Sequence, residues 1–373
     1  MRRRADMSNR SSVECRRRSR HQQGAAAGHL GDVRFGPLRS IGVLLREMGH
    51  DPAAVLAECG LGRATFDDPE QRVPFGIATR LVQRAAWVAG RPDFALLAGR
   101  RFELGDFGLL GQLMAGARTV GEALEDLQRF FHLQDRGSVA YLRSTEQGVV
   151  ALGYSILDPE TPGAGLTYDL VMSIAMSIMR ALAGPRFRAN EVCLAHVAPP
   201  NKAPYWHCFL APVSFDSPQT ELRFAAAWLE APVAGANPTQ HARAQSMAQS
   251  AEACGPLGLP DRVRAVVRVL LATDKLSTRH VAEALDMHER TLRRRLAAEG
   301  VHLHEMVATT RFEVARLLLD ETRLPLNTIA MALGYTEASS FVRAFGNWAG
   351  CTPGNWRARA TDRPPRRALK PIA

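Results

Sequence analysis

Two helix-turn-helix patterns lie in tandem between residues 276 and 357, and this doubling constrains the fold more than any other feature of the chain. In each pattern an apolar residue precedes an Ala, a Leu follows three residues later, and a second helix presents an apolar inward face. The residues in these positions are Val281, Ala282, Leu285, Leu292 and Leu296 in the first pattern and Ile329, Ala330, Leu333, Phe341 and Phe345 in the second. A small Ala lets two helices cross closely at a tight turn, which leaves the outward face of the second helix free for a DNA groove. The pattern therefore predicts a DNA-binding protein.

The basic charge of the chain is concentrated at its two ends. Residues 1–30 hold 8 Arg and Lys against 2 Asp and Glu, residues 31–260 hold 20 against 23, and residues 261–373 hold 19 against 12. A basic region gains affinity for phosphates by releasing counterions, whatever base sequence it reads. The charge distribution therefore supports contact between the carboxyl-terminal region and nucleic acid.

Length and composition predict a soluble, cytoplasmic protein with more than one core. A chain of 373 residues with 46% hydrophobic content can bury two or three cores. No apolar run approaches the roughly 20 residues of a membrane span. The six cysteines are scattered without a C-x-x-C pair, as expected for reduced thiols. The basic start of the chain lacks the apolar stretch of a secretory signal, and we expect a disordered leader there.

Hydrophobic periodicity predicts an α+β amino-terminal sensing domain, with a small, mostly antiparallel sheet, followed by an all-α domain. The expected helices in the first domain are 38–48, 52–59, 75–88, 94–100, 109–115, 120–133, 166–183 and, for the most part, 228–251. The expected strands are 139–143 and 149–156, which form a hairpin around 145–148, and 191–196, 212–215 and 221–224. The predicted divisions are a basic disordered leader (1–30), an effector-binding and dimerisation domain (31–254), a linker (255–260), the double helix-turn-helix domain (261–360) and a disordered tail (361–373).

The exposed faces of the two recognition helices supply the candidate DNA-binding residues. They are Arg290, Arg293 and Arg294 on the first helix and, if Thr336 caps the second, Ala338, Ser339, Val342 and Arg343. Arginine grips the O6 and N7 atoms of guanine bidentately. These arginines could instead form only a solvated helix face, but the flanking pattern favours contact with the groove. A helix over 304–319, roughly 24 Å long at 1.5 Å per residue, would separate the two recognition helices as a rigid spacer.

Residues 261–360 resemble the DNA-binding domain of the AraC/XylS family of transcription regulators. The matching residues are Val281-Ala282, Leu292, Arg294, Gly300, Arg311, Ala315, Leu318-Leu319, Ile329-Ala330, Leu333-Gly334-Tyr335, Ser340-Phe341, Arg343, Phe345, Gly350, Thr352-Pro353 and Trp356-Arg357. The resemblance implies that helices opening at Glu289 and Glu337 insert into the major groove. It also implies transcriptional control, usually activation through contact with RNA polymerase.

Two residues of the first unit depart from the family pattern. Asp286 stands where the family usually has Gly, but Asp tolerates a left-handed backbone better than most residues, so the turn should survive. His288 replaces the usual Ser at the cap of the first recognition helix, which should weaken that cap by about 1 kcal/mol. Both departures bear on how the first unit docks.

The middle region is similar to the arabinose-binding-type N-terminal domain found in regulators such as those of the ornithine-utilisation type. The similarity lies in residues 105–111, 119–124 and 205–215. It implies a sensing or dimerising domain, and it does not imply a sugar as the ligand.

Histidines, cysteines and aromatic residues of the middle region are candidates for a ligand site. The candidate metal ligands are His132, His196, His207, Cys193 and Cys208. Their spacing matches no zinc pattern, and His207 and Cys208, adjacent on an expected strand, would point to opposite faces. We therefore expect no metal and no cofactor. An aromatic set could line an effector pocket, although ordinary core packing is the favoured interpretation: Phe107, Phe130, Phe131, Tyr154 and Trp206.

These features predict a sequence-specific transcriptional regulator without enzymatic activity, dimeric, cytoplasmic and associated with the nucleoid. Its expected partners are double-stranded promoter DNA, RNA polymerase, a second copy of the chain and an unidentified small-molecule effector. Two other classes remain open. A DNA alkylation-repair protein of the Ada type needs a cysteine activated beside a histidine, as in a Pro-Cys-His-Arg run, which neither Cys193 nor Cys208 matches. A constitutive DNA binder would need no effector.

Overall fold

A five-stranded sheet is the centre of the amino-terminal region in the computed structural model, which describes residues 31–361 except 146–147 and 256. The described residues contain seven strands: β1 (Asp32–Arg34), β2 (Arg72–Pro74), β3 (Ser138–Ser144), β4 (Val149–Ile156), β5 (Glu191–Cys193), β6 (Val213–Ser214) and β7 (Thr220–Ala225). The main sheet has the order β3-β4-β7-β5-β6, and only the β5–β6 pair is parallel. Strands β1 and β2 form a separate antiparallel pair. The predicted fold class is confirmed.

Helices surround this sheet and make up all of the carboxyl-terminal region described. They are α1 (Arg39–Glu47), α2 (Pro52–Glu58), α3 (Phe75–Val88), α4 (Phe94–Arg100), α5 (Leu109–Gly116), α6 (Val120–Gln134), α7 (Ala164–Ala183), α8 (Ala203–Phe209), α9 (Pro238–Cys254), α10 (Leu259–Ala272), α11 (Thr278–Glu283), α12 (Glu289–Ala298), α13 (Leu303–Glu321), α14 (Leu326–Ala332), α15 (Ala338–Ala349) and α16 (Pro353–Thr361). The predicted helices from α1 to α7 are confirmed to within about two residues.

Two expectations about the middle of the chain were wrong and one is confirmed. His207 and Cys208 lie in helix α8 rather than on a strand, because Pro204 suits the first turn of a helix and Tyr205, Cys208 and Phe209 bury one face at helical spacing. The stretch 228–251 is mostly helical, as expected, with a 3₁₀ turn over Ala226–Glu230 and helix α9 from Pro238, where the side chain of Asn237 caps it. Helix α10 begins at Leu259, so the last two residues of the predicted linker are helical. The leader 1–30, the tail beyond residue 361 and the centre of the 145–148 turn lie outside the described residues.

Helix α7 is the central helix of the amino-terminal region. By length and composition alone it could cross a membrane, with a mean hydropathy of 1.3, but 67% of that stretch is buried inside the fold. Its Ser173 hydroxyl donates to the Leu96 carbonyl at 2.8 Å, and its Asp169 carboxylate accepts from the Tyr205 hydroxyl at 2.8 Å. These buried polar contacts tie α7 to α4 and α8, so it is a core helix.

The carboxyl-terminal helices pack directly against the sheet region. Leu318, Leu333 and Phe341 belong to the same buried apolar cluster as the sheet residues. The amide of Val197 donates to the carbonyl of Glu321 at 2.9 Å, and the amide of Arg323 donates to the carboxylate of Asp216 at 2.7 Å. Helices α10 to α12 bury a smaller cluster of their own: Val263, Val267, Val281, Ala282, Leu285, Leu292 and Leu296. The two helix-turn-helix patterns therefore sit in different cores.

The β3–β4 hairpin depends on a close contact between a tyrosine and a glycine. Tyr141 pairs with Gly153 across the two strands, and the tyrosine side chain is only 1% exposed. A Cβ atom on Gly153 would lie 2.1 Å from Cζ of Tyr141. The absence of a side chain at position 153 is what allows the ring to lie over the neighbouring strand.

We predict that Gly153→Ala lowers the free energy of unfolding by about 1–3 kcal/mol or more, because the added methyl overpacks the Tyr141 ring. Urea denaturation followed by circular dichroism measures the loss. Gly76→Ala is the matched control, since Gly76 lies in helix α3 and a Cβ on it would have no other atom within 4 Å. A Gly153→Ala variant as stable as the Gly76→Ala variant would contradict this account of the hairpin.

Candidate nucleic-acid interface

Both helix-turn-helix units turn through the same backbone motif. In the first unit (α11 and α12), the amide of Met287 donates to the Ala282 carbonyl at 2.9 Å, and in the second (α14 and α15) the amide of Tyr335 donates to the Ala330 carbonyl at 3.0 Å. The residue before each donor has a left-handed backbone, with φ of +53° at Asp286 and +74° at Gly334. These bonds are the six-to-one bonds of a Schellman helix ending. The predicted tolerance of Asp286 for a left-handed turn is confirmed.

In each unit the Ala whose carbonyl accepts this bond is buried. Ala282 and Ala330 are each 1% exposed. Leu285 and Leu292 close the apolar contact in the first unit, and Leu333 closes it with Phe341 in the second. The crossing that the sequence predicts from the apolar–Ala pairs is therefore present in both units.

The ends of the two recognition helices, α12 and α15, are capped weakly. Ser277 caps α11 by accepting from the His280 amide at 3.1 Å, but His288 makes no side-chain cap on α12. Helix α12 begins at Glu289, as expected. Helix α15 begins at Ala338 after Glu337, so the predicted cap at Thr336 was wrong. Neither recognition helix gains the side-chain hydrogen bond that usually satisfies the first free amides of a helix.

The solvent-facing side of α12 is strongly basic. Arg290, Arg293 and Arg294 are all exposed, as predicted, and so is Arg295, which was not among the predicted contacts. Arg293 pairs with Glu289 one turn earlier at 3.1 Å. Within the part of the chain that the structure describes, Arg290 and Arg294 take part in no ion pair. Their guanidinium groups are therefore available to an external acceptor.

On α15 the structure divides the four predicted residues into two sets. Ser339 and Arg343 are exposed, whereas Ala338 and Val342 are half-buried and pack against the core. The prediction that all four share an exposed face was wrong for the latter two. Ala338 and Val342 complete an i, i+3, i+4, i+7 stripe with Phe341 and Phe345, so they border the buried face. Asn347 is exposed at the next i+4 position after Arg343, and that spacing could have identified it in the sequence.

Helix α13 joins the two units. It has 19 residues, three more than predicted, and is therefore about 28 Å long. Its first turns pack on the first unit through Leu303, Met306 and Val307, and its last turns lie in the main core. The guanidinium of Arg311 lies over the Tyr335 ring, with Cζ 5.0 Å from the ring centre. This contact ties the middle of α13 to the turn of the second unit.

The histidines and cysteines of the middle region have separate partners. His196 is 1% exposed, with Nε2 2.9 Å from an Asp169 oxygen and Nδ1 3.0 Å from the Val197 carbonyl. His132 lies 3.6 Å from Glu252, and Cys208 lies 3.3 Å from the Ser173 hydroxyl. His207 and Cys208 lie on helix α8, so the opposite-face argument made for a strand does not apply to them.

The buried cysteines are poor nucleophiles. Burial raises the pKa of the Cys193 thiol to about 12 and also raises the pKa of the Cys208 thiol. The thiolate is the reactive form of cysteine. An alkyl-accepting role, which needs an activated thiolate, is therefore not favoured at either residue.

The aromatic residues considered for a pocket do not form one group. Phe107 stacks edge-on with Phe102, and Phe131 stacks edge-on with Tyr154 at 6.2 Å. Phe130 is fully buried, whereas Trp206 is 61% exposed on α8. Packing in the core accounts for Phe107 and Phe130, and Tyr154 lines a small cavity next to the sheet.

We predict opposite effects on stability when a Cβ is added at position 334 and when one is removed at position 286. Gly334→Ala should lower the stability of the second unit by about 1–2 kcal/mol, because a Cβ is strained at positive φ. Asp286→Gly should relieve that strain in the first unit, with a gain below about 1 kcal/mol because the unfolded chain also becomes freer. Native-state hydrogen exchange of amides in α12 and α15 measures each unit separately. Gly346→Ala is the control, since Gly346 lies in α15 at negative φ with open space around it.

Two family models match this chain. One, described as the arabinose-binding domain of AraC transcription regulator, N-terminal, matches residues 49–233. The other, described as a helix-turn-helix domain, matches residues 281–359 and so contains both units.

Characterised and uncharacterised regulators are similar over most of their length. VirS, an HTH-type transcriptional regulator of Mycobacterium tuberculosis, is 29% identical over 316 residues, which are 84% of this chain and 93% of VirS. An uncharacterised HTH-type transcriptional regulator of the same species is 30% identical over 327 residues, 84% of this chain and 92% of its own. The ornithine utilization regulator of Pseudomonas aeruginosa is 27% identical over 320 residues, again 84% of this chain and 93% of its own. The crystal structure of the transcriptional regulator CdpR from Pseudomonas aeruginosa aligns with a TM-score of 0.45 at 25% identity, covering 87% of this chain and 98% of CdpR.

Proposed function

Because this chain belongs to the AraC family of DNA-binding transcriptional regulators, we propose that α12 and α15 read bases in successive major grooves of a promoter. One observation carries the proposal. Each recognition helix follows a turn with the same backbone hydrogen bond and exposes a polar face, and one continuous helix connects the two units. The rigid helix α13, about 28 Å long, packs on the first unit through its first turns and on α15 from its middle onward. Two recognition helices held on one such spacer suit grooves that recur every ~34 Å along one side of the duplex.

The proposed base contacts come first from one exposed arginine on each recognition helix. Arg294 on α12 and Arg343 on α15 are exposed and can each bind one guanine bidentately. Arg290 lies one turn before Arg294 and supports the same contact, while Arg293 is partly engaged by Glu289. Ser339 and Asn347 lie one turn on either side of Arg343 and can add hydrogen bonds to bases or phosphates. Ala338 and Val342 lie at the border of the core and can make only apolar contacts with the DNA, for example with the methyl group of a thymine.

We predict that Arg294→Ala and Arg343→Ala each remove about 1–3 kcal/mol of discrimination at one base position. Fluorescence anisotropy with the DNA upstream of the gene, and with single-base variants of it, measures the loss. Arg279→Ala is the matched control: Arg279 is exposed on α11 but already bound to Glu283 at 2.7 Å. If both variants discriminate bases as well as the parent and the control, the assigned contacts are wrong.

The amino-terminal region is proposed to bind a small metabolite and to form a homodimer. Its similarity to the arabinose-binding type and its direct packing on the second unit support a regulatory role. We expect a dimer in light scattering at micromolar concentration with promoter DNA. A monomer both with and without DNA would contradict the dimer and leave the DNA contacts untouched.

We further propose that the bound protein activates transcription by contacting RNA polymerase, in the cytoplasm and on the nucleoid, without catalysis of its own. Transcription in vitro with and without the protein tests activation directly. Two rivals have distinct signatures. A repair protein would acquire a stable methyl group on one cysteine after exposure to methylated DNA, and a constitutive binder would keep the same DNA affinity with every metabolite added.

A further inference from the structure

A small cavity lies between the sheet of the amino-terminal region and the helices that carry both units. Its volume is about 40 Å³. Tyr141 and Tyr154 of the sheet and Tyr168 of helix α7 line one side, and Arg268, Leu271 and Leu318 of the carboxyl-terminal helices line the other. The walls therefore come from two regions of the chain that are far apart in sequence, and they combine three aromatic rings with one guanidinium.

Arg268 is the polar group of this cavity that lacks a full set of partners. Its side chain lies on α10 and is only 1% exposed. Nε donates to the Ser155 hydroxyl at 2.9 Å, and Nη2 donates to the carbonyl of Ile156 on β4. Nη1 has no hydrogen-bond partner among the described residues. A buried donor without an acceptor is costly, and more so when it is charged.

The neighbouring carboxylate of Glu313 serves two arginines of α10. Glu313 on α13 pairs with Arg264, which lies one helical turn before Arg268. The charge of Glu313 also acts on Arg268, so the two guanidinium groups share this carboxylate. Burial lowers the pKa of Arg268 and raises the pKa of Glu313, because the low-dielectric interior disfavours both charged forms. A bound carboxylate would supply the acceptor that Nη1 of Arg268 lacks.

We propose that this cavity binds the carboxylate of a small organic acid, which accepts a hydrogen bond from Nη1 of Arg268 while its apolar part packs against Tyr141, Tyr154 and Tyr168. The inference rests on the proposed function, because the acid would be the effector. It adds the chemical class of that effector and the place where it binds.

The size of the cavity connects binding to the arrangement of the units. At about 40 Å³ it holds roughly three water molecules, which is enough for a carboxylate with one or two further atoms. A larger acid fits only when α10 moves away from β4. Because α10 belongs to the core of the first unit, such a movement shifts that unit relative to the sheet. An acid with different affinities for the two arrangements changes their populations.

Thermal unfolding of the full chain with matched acids and amides tests the proposal. The probes are acetate and benzoate against acetamide and benzamide, at constant ionic strength and neutral pH. At about ten times its dissociation constant, a bound acid should raise Tm by roughly 2–4 °C, whereas the neutral amide of the same shape should not.

Three variants assign the effect to this cavity. Arg268→Gln removes the charge and should abolish the shift by the acid. Arg262→Gln is the control on the same helix and should retain it, since Arg262 is exposed and does not line the cavity. If Arg268→Gln does not fold, Ala272→Leu provides the second test. Ala272 lines the cavity at the end of α10, so the larger side chain should block benzoate and leave Arg268 in place.

The proposal is overturned if neither acid raises Tm, if the amides raise it equally, or if Arg268→Gln or a folded Ala272→Leu variant keeps the benzoate shift. Anisotropy with the upstream DNA separates this failure from failure of the proposed function. If the parent protein prefers upstream DNA over scrambled DNA but does not respond to the acids, only the acid site is contradicted. If it shows no preference for upstream DNA, the proposed function is contradicted.

Discussion

Burial of helix α13 in two different cores is the constraint on which the arrangement of both helix-turn-helix units depends. Its first turns pack with Leu292 and Leu296 of the first unit, and from Phe312 onward it lies in the core that Phe341 and Phe345 share with the sheet. A continuous helix does not bend sharply without Pro or a comparable break, and α13 contains none. The separation of α12 and α15 is therefore a property of one rigid element.

The contact between the two regions of the chain combines apolar burial with costly polar groups. Leu318 and Leu333 supply apolar contact with the sheet region, while Arg268 and Glu313 are ionisable groups withdrawn from water. Buried charges contribute little net stability, because the loss of hydration offsets the attraction between them. A buried charge at such an interface makes its stability sensitive to any ion that binds there. The proposed effector would act through this sensitivity.

Local signals in the sequence were sufficient for the turns and for most helices. Gly49 and Gly60 mark helix ends, Gly334 marks the second turn, and Asp286 occupies the equivalent left-handed position in the first. Long-range packing was not accessible in the same way. Arg268 stands among valines and leucines on α10 and reads as an outward-facing arginine, yet the fold buries it against β4. His207 and Cys208 were misassigned to a strand because a short aromatic-rich run fits a strand as well as a buried helix.

The two units differ in how deeply they are anchored. The first unit rests on seven buried residues of its own, whereas the second is continuous with the core of the whole molecule. Small cooperative units open more readily than the structure that surrounds them. Substitutions on the first unit can therefore be accepted without disturbing the rest of the protein, while those on the second are restrained by the packing of the sheet. Among related proteins, we expect the preferred base sequence to change first in the half of the DNA site that faces α12.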